Sequence, residues 1–288
     1  MSFMRKIMAA AFARVAYSVL KLAGWKRKTV LANAKHVADA FPSADSNTLP
    51  DYNVLLKNLT RHASELLFRF GTFKKLPHDF SAYPCRVDGW NFDIAEGAAP
   101  VLEKMRSGGI FLTAHYGNYE AMGPWLCRLG IPLVASYIPV KPKWLNNILE
   151  RKIRAVDGRS YSVDARTPRD FMRILNDGNL FCLLADQDSR IPSAIDGTLF
   201  GQPANVNPLP DFLLKHRPQT PVFICWMEEK NGVRVLHAIE VASPAHSLQS
   251  SVVNMQFNKW LEQRILENPN LWYGFTHRRF FSREPDIY

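Results

Sequence analysis

The stretch Gly108-Gly109-Ile110-Phe111-Leu112-Thr113-Ala114-His115-Tyr116-Gly117-Asn118-Tyr119-Glu120 sets an imidazole and a carboxylate five positions apart. Residues 110–114 are apolar, few, and bounded by turn formers, so they read as a buried strand. Gly117-Asn118 breaks the run, and the residues up to 129 carry a helical apolar pattern. Asn118 is placed to cap that helix, with Glu120 in its first turn. In a continuous helix, residues five apart diverge by about 140°. A turn between the two lets the carboxylate reach back to the ring. The pair then fits a general base, His115, oriented by Glu120, with the other ring nitrogen free to take a proton. The competing reading is a strand-end histidine satisfied by a backbone carbonyl, with Glu120 merely favourable at a helix N-terminus.

What must hold such a pair in place is a sizeable core, and 288 residues suffice for one large domain or two small ones. An apolar fraction of 47% excludes a disordered chain. The net charge of +10 points to an anionic partner: nucleic acid, an acidic carrier protein or an anionic membrane surface. Cys85, Cys127, Cys182 and Cys225 are widely spaced and form no Cys-x-x-Cys. That argues against zinc and for free thiols in a reducing compartment.

Residues 7–25 are mostly apolar, but Arg14, Ser18 and Lys21 form a narrow polar stripe at helical spacing. Arg5-Lys6 and Lys26-Arg27-Lys28 bracket it. No apolar run approaches the ~20 residues needed to span a bilayer. The pattern predicts an interfacial amphipathic helix on an anionic membrane, the alternative being a helix packed on the protein's own core. Two more helices are expected over 30–41 and 51–70, where Arg61, His62, Glu65 and Arg69 read as a solvated charged face. From Cys85 onward, strands near 86–89, 110–114, 133–137, 161–163, 180–185, 222–227 and 233–241 alternate with helices near 96–106, 119–129, 142–156, 168–176, 209–215 and 248–267. Such alternation implies an α/β fold with a mixed, largely parallel sheet covered by helices. The organisation expected is a membrane-associating segment, 1–28, ahead of one α/β domain, 29–288.

Four further stations follow in order. Ala135-Ser136-Tyr137-Ile138-Pro139 closes a strand, and Leu149-Glu150-Arg151-Lys152-Ile153-Arg154 lies on the next helix. Arginine forks suit a phosphate or carboxylate bidentately; a solvated basic face is the alternative, more so for Arg154 than for Arg151. Asp186-Gln187-Asp188 ends the apolar strand at 180–185, and strand ends in open α/β sheets are where sites form. Two acids at that spacing without histidine partners make a weak metal site. The last station is Trp272-Tyr273-Gly274-Phe275-Thr276-His277-Arg278-Arg279-Phe280.

Together these residues resemble, in order, the motifs of the lipid A biosynthesis (lauroyl/myristoyl) acyltransferases, His-x4-Asp/Glu enzymes related to the glycerolipid acyltransferases. His115 and Glu120 match the catalytic motif. Arg151 is the best match within an arginine-rich segment. Asp186-Gln187 matches an Asp-Gln signature, Leu199-Phe200-Gly201 a Phe-Phe-Gly, and the C-terminal run an aromatic, arginine-rich ending. Where the family usually carries Tyr-Arg-Pro, Ile138 replaces the arginine, which leaves the acceptor open.

The resemblance implies catalysis by His115 and Glu120, with substrate contacts from Asn118, Tyr137, Arg151, Arg154, Asp186, Gln187, Arg278 and Arg279. Within that set, Asp186 and Gln187 are expected to order the active-site loop by hydrogen bonds. Arg151 is expected to line the cleft beside His115, and Arg278 and Arg279 to form a basic rim. It further implies no metal and no cofactor, an acyl carrier protein or coenzyme A thioester as co-substrate, and a glycolipid hydroxyl as acceptor. The first candidate acceptor is a lipid A precursor, another glycolipid or an aminolipid following. The place implied is the cytoplasmic face of a Gram-negative inner membrane, held peripherally or monotopically, with no nucleic-acid partner. No Gly-x-Ser-x-Gly occurs, so direct attack of the acceptor on the thioester is expected rather than a serine acyl-enzyme. Two rival readings stand: a basic nucleic-acid-binding protein, which would lack a deep apolar cleft, and a noncatalytic membrane-binding protein on the same scaffold, against which the presence of both His115 and Glu120 argues.

Overall fold

A computed structural model of the chain describes residues 3–40, 49–137, 141–241 and 252–288. Three helices come first: α1 (Phe3–Leu22), α2 (Arg27–Ala40) and α3 (Tyr52–Arg69). Gly24, left-handed at φ 59°, ends the first, and α1 and α2 meet at 80°. Within the segment expected over 1–28 the first helix ends at Leu22, and Arg27 and Lys28 of the second basic flank begin α2. Asp51 starts α3 by accepting from the Asn53 and Val54 N–H groups.

Along α3, α1 buries Ala9 and sets Phe12 5.6 Å from Phe68. Its long apolar side chains Met4, Ile7, Met8, Val15, Val19 and Leu22 face outward. Ala9 thus packs inward while these large side chains are left uncovered. No single described helix is long and apolar enough to cross a membrane, although α1 and α2 pass that test as a bent pair. On α3, His62 and Glu65 are buried rather than solvated, because that face meets the sheet and not water.

The α/β part begins with β1 (Cys85–Val87), β2 (Trp90–Ile94) and α4 (Ala98–Met105). Then β3 (Gly109–Thr113) leads into α5 (Tyr119–Arg128), and β4 (Leu133–Ser136) into α6 (Lys143–Ile148). The short β5 (Ala155–Val156), β6 (Arg159–Ser160) and β7 (Ser162–Val163) precede α7 (Pro168–Asn176) and β8 (Leu180–Leu184). After the hairpin β9 (Ile195–Leu199) and β10 (Gln202–Val206) come α8 (Leu209–His216), the long hairpin β11 (Val222–Lys230) and β12 (Val233–Val241), and α9 (Val252–Glu267).

Eight strands share one sheet in the order β1-β2-β12-β11-β3-β8-β4-β7. From β11 to β7 all pairings are parallel, while β12 runs antiparallel to β11 and parallel to β2. This is the mixed, largely parallel α/β sheet expected. Every residue of β3 is buried, as a strand covered on both faces requires. Ile110 and Leu112 pack with Phe257 and Leu261 of α9 on one side; Phe111 packs with Trp125 and Leu126 of α5 on the other.

Local departures have local causes. The helix expected over 142–156 ends at Ile148, and Leu149–Ile153 wind as a π turn. Asn231 and Gly232, with φ of 52° and 73°, form the tight turn that carries β11 on to Lys230. Phe200 and Gly201 likewise form the β9–β10 turn, with φ of 54° and 73°. Ile138 and residues 248–251 of the last expected helix lie outside the described residues.

Candidate active site

Sheet register brings the two most consequential residues together. In the parallel pair β3–β8, Thr113 stands opposite Leu184. Two positions beyond each lie His115 and Asp186, at the same level of adjacent strands. Asp186 is fully buried and accepts from three donors: His115 Nδ1 at 2.8 Å, the His115 backbone N–H at 3.0 Å and Trp272 Nε1 at 2.9 Å. A carboxylate acceptor fixes the hydrogen on Nδ1 and leaves Nε2 as the basic nitrogen. Burial opposes the charge on Asp186, but His115 and these hydrogen bonds outweigh it and lower its pKa to about 2. Burial likewise opposes protonation of His115, yet the Asp186 charge and hydrogen bond, with Glu120 behind them, raise its pKa above the usual value.

The carboxylate that orients the ring is therefore Asp186 and not Glu120. The turn that frees Glu120 from helical geometry directs it to Arg154, whose Nη2 lies 3.2 Å from Glu120 Oε1. Glu120 still lines the same cleft as His115. On the other side of the ring, the Gln187 amide nitrogen lies 3.4 Å from His115 Nε2 and 3.5 Å from His277 Nε2. Burial and the nearby His115 hold the His277 pKa below its ordinary value.

The turn itself is constrained from below and above. Gly117 has φ 59°, and a Cβ there would lie 2.9 Å from the Met227 carbonyl oxygen, so only glycine fits. The C-terminal aromatic segment straps the turn: Gly117 N–H donates to Leu271 O and Tyr273 N–H to His115 O, both at 2.8 Å. Trp272 and Tyr273 thus build the site from the far end of the chain. Their signal in the sequence was an indole N–H within an apolar run, a donor that needs an acceptor once buried.

His115 opens on a cleft of about 670 Å³ walled by Phe111, Met122, Leu133 and Leu183, with Glu120, Tyr137, Arg154 and Gln187 also lining it. The Arg154 guanidinium sits 5.1 Å over the Tyr137 ring, and its Nη1 is buried without a hydrogen-bond partner among the described residues. Arg151 is exposed and outside the cleft lining, because the π turn 149–153 leaves it outward and turns Arg154 inward. Asn118 occupies the N-cap position of α5 without capping it; its Nδ2 donates to Glu65 Oε2 at 2.7 Å, away from the cleft. Arg278 is exposed beside Phe281 and Tyr288. Arg279 is 0% exposed, donates to Asn205 O at 2.9 Å, and so forms no part of a basic rim.

A hydrogen-bonded His115–Asp186 pair at the ends of parallel strands, over a cleft with apolar walls that Arg154 and Arg166 also line, fits an α/β acyltransferase. The chain belongs to the bacterial lipid A biosynthesis acyltransferase family, whose model matches residues 5–282. No curated protein matches it. The family implies an acyl donor and a lipid acceptor as substrates.

Proposed function

We propose that the protein moves a fatty acyl chain from a thioester of acyl carrier protein, or of coenzyme A, to a hydroxyl of a lipid A precursor or related glycolipid. The observation that carries this reading is His115, bonded to Asp186 through Nδ1 while its ring lines an apolar cleft. The acceptor O–H gives its proton to Nε2 as its oxygen attacks the thioester carbon. The oxyanion that forms needs a positive counterpart, and of the two arginines lining the cleft, Arg154 and the exposed Arg166, Arg154 is the more buried, its Nη1 without a partner among the described residues. When the C–S bond breaks, the imidazolium returns the proton to the departing thiolate. Asp186 steadies the imidazolium between those steps. The apolar walls take the acyl chain, the cleft falling in the range usual for small-molecule sites.

The uncovered apolar face of α1, among Arg5, Lys6, Arg14 and Lys21, supports attachment to an anionic membrane, with the inner membrane's cytoplasmic face as the proposed place. The test is direct. Purified protein is incubated with carrier-protein or coenzyme A thioesters and a lipid A precursor, and products are weighed by mass spectrometry. The acceptor should gain one acyl group, and His115→Ala should fall to background. A folded wild-type protein that acylates no glycolipid from either thioester would refute the proposal.

A further inference from the structure

Behind the turn that carries His115 lies a second cavity, about 130 Å³ and polar, which the reaction does not use. Its side chains form a closed circuit. Asn118 Nδ2 donates to Glu65 Oε2 at 2.7 Å, and Arg234 Nη2 donates to Glu65 Oε1 at 3.0 Å. Arg234 Nη2 also lies 3.4 Å from Glu229 Oε2, which accepts from Arg61 Nη1 at 2.8 Å. Arg61 Nη2 reaches His62 Nε2 at 3.1 Å, and His62 Nδ1 lies 2.5 Å from Tyr273 Oη. Tyr273 N–H closes the path on the His115 carbonyl. A guanidinium only donates, so His62 Nε2 accepts and its Nδ1–H points to the tyrosine oxygen. The circuit leaves the catalytic turn at His115 and returns to it at Asn118.

Two features separate this arrangement from ordinary packing. Glu65 and Arg234 are 6% and 5% exposed, and apolar residues of similar size commonly fold as well as such a buried pair. Asn118 also gives up the cap it could supply to α5, the use that residue type ordinarily has at that position. Both are accounted for if the circuit's task is to hold the turn. We propose that Asn118, Glu65 and Arg234 are positioning residues for acyl transfer, fixing turn 115–118 so that His115 stays on Asp186 with Nε2 toward the cleft. This inference rests on the reading of His115 as the base.

The experiment compares the full-length wild type with Asn118→Ala, Glu65→Leu, Glu65→Gln and His115→Ala in the thioester assay, after melting curves establish folding. Asn118→Ala and Glu65→Leu should lower kcat about 10–100-fold, the loss expected for a displaced catalytic group, with KM for the thioester within about threefold. The acid limb of kcat should move to lower pH, since a displaced ring loses Asp186 while Glu120, His277 and Tyr119 still face it. Glu65→Gln keeps an oxygen for Asn118 and should recover about tenfold over Glu65→Leu. If Glu65→Leu does not fold, Asn118→Ala carries the test, because it leaves Glu65 with Arg234. A folded Asn118→Ala with kcat within twofold of wild type overturns the inference, as does a fall in kcat with an unmoved acid limb. An inactive His115→Ala beside a normal Asn118→Ala overturns this inference alone, whereas an active His115→Ala removes the base reading and this one with it.

Discussion

Asp186→Asn distinguishes the aspartate from Glu120 as the group that orients the base. The wild-type carboxylate spends Oδ1 on His115 Nδ1, and Oδ2 on both the His115 backbone N–H and Trp272 Nε1. An asparagine has one oxygen, and the two fixed donors on the Oδ2 side claim it. Its NH2 then faces Nδ1, which must become the acceptor, so the ring hydrogen moves to Nε2 and the nitrogen facing the cleft is no longer basic. The same exchange in a serine protease triad, where the histidine is held in the wrong tautomer, lowers kcat by about 10⁴. Here a loss of about 10³–10⁴ in kcat is expected. Glu120→Gln should cost at least tenfold less, because Glu120 makes no hydrogen bond to the ring and contributes only its charge.

The pH dependence has a definite sign. In the wild type Asp186 raises the His115 pKa, so activity should rise with pH through an acid limb centred above the ordinary imidazole value of about 6.5. Removing the aspartate charge leaves burial largely unopposed, and the residual limb should move below that value. Single-turnover acyl transfer at saturating acceptor, from pH 5 to 9, measures both the rate and the limb. A folded Asp186→Asn protein with kcat within tenfold of wild type, or an unmoved limb, would refute this account of the base.

Other perturbations separate neighbouring residues. Arg154→Ala should lower kcat/KM by about 1.5–3 kcal/mol, the value of a charged hydrogen bond, while the exposed Arg151→Ala stays within threefold; the same assay reads both. Val15→Ser with Val19→Ser, at outward positions of α1, should weaken sedimentation with anionic vesicles by about 3 kcal/mol in total, and wild-type binding should weaken with salt. Arg279→Ala should destabilise the fold by about 2–4 kcal/mol in urea, as a large buried side chain replaced by a cavity does, without changing the salt dependence of KM for the thioester.

How much of this was legible in the sequence follows from what is local and what is not. The β3 strand, its glycine-bounded turn and α5 are readable because apolar periodicity and turn formers sit within a few residues of each other. The partner of His115 is not local. Spacing favoured Glu120, the carboxylate nearest in the chain, yet the matching level of the neighbouring strand belongs to Asp186. Asp186 is legible as a strand-end acid, but nothing along the chain says that β8 lies beside β3. That Arg154, and not the better-matching Arg151, lines the cleft has a similar reason. A regular helix would carry one face through 142–156, and the π turn at Leu149–Ile153 changes which arginine looks inward. His62 and Glu65 looked solvated because charge at helical spacing usually is; only the sheet packed over α3 makes them a buried circuit. The candidate site residues are therefore visible by type, and their pairings are set by strand order and by a C-terminal strap that crosses the turn from more than 150 positions away. Composition and spacing name the candidates here, and the sheet decides which of them touch.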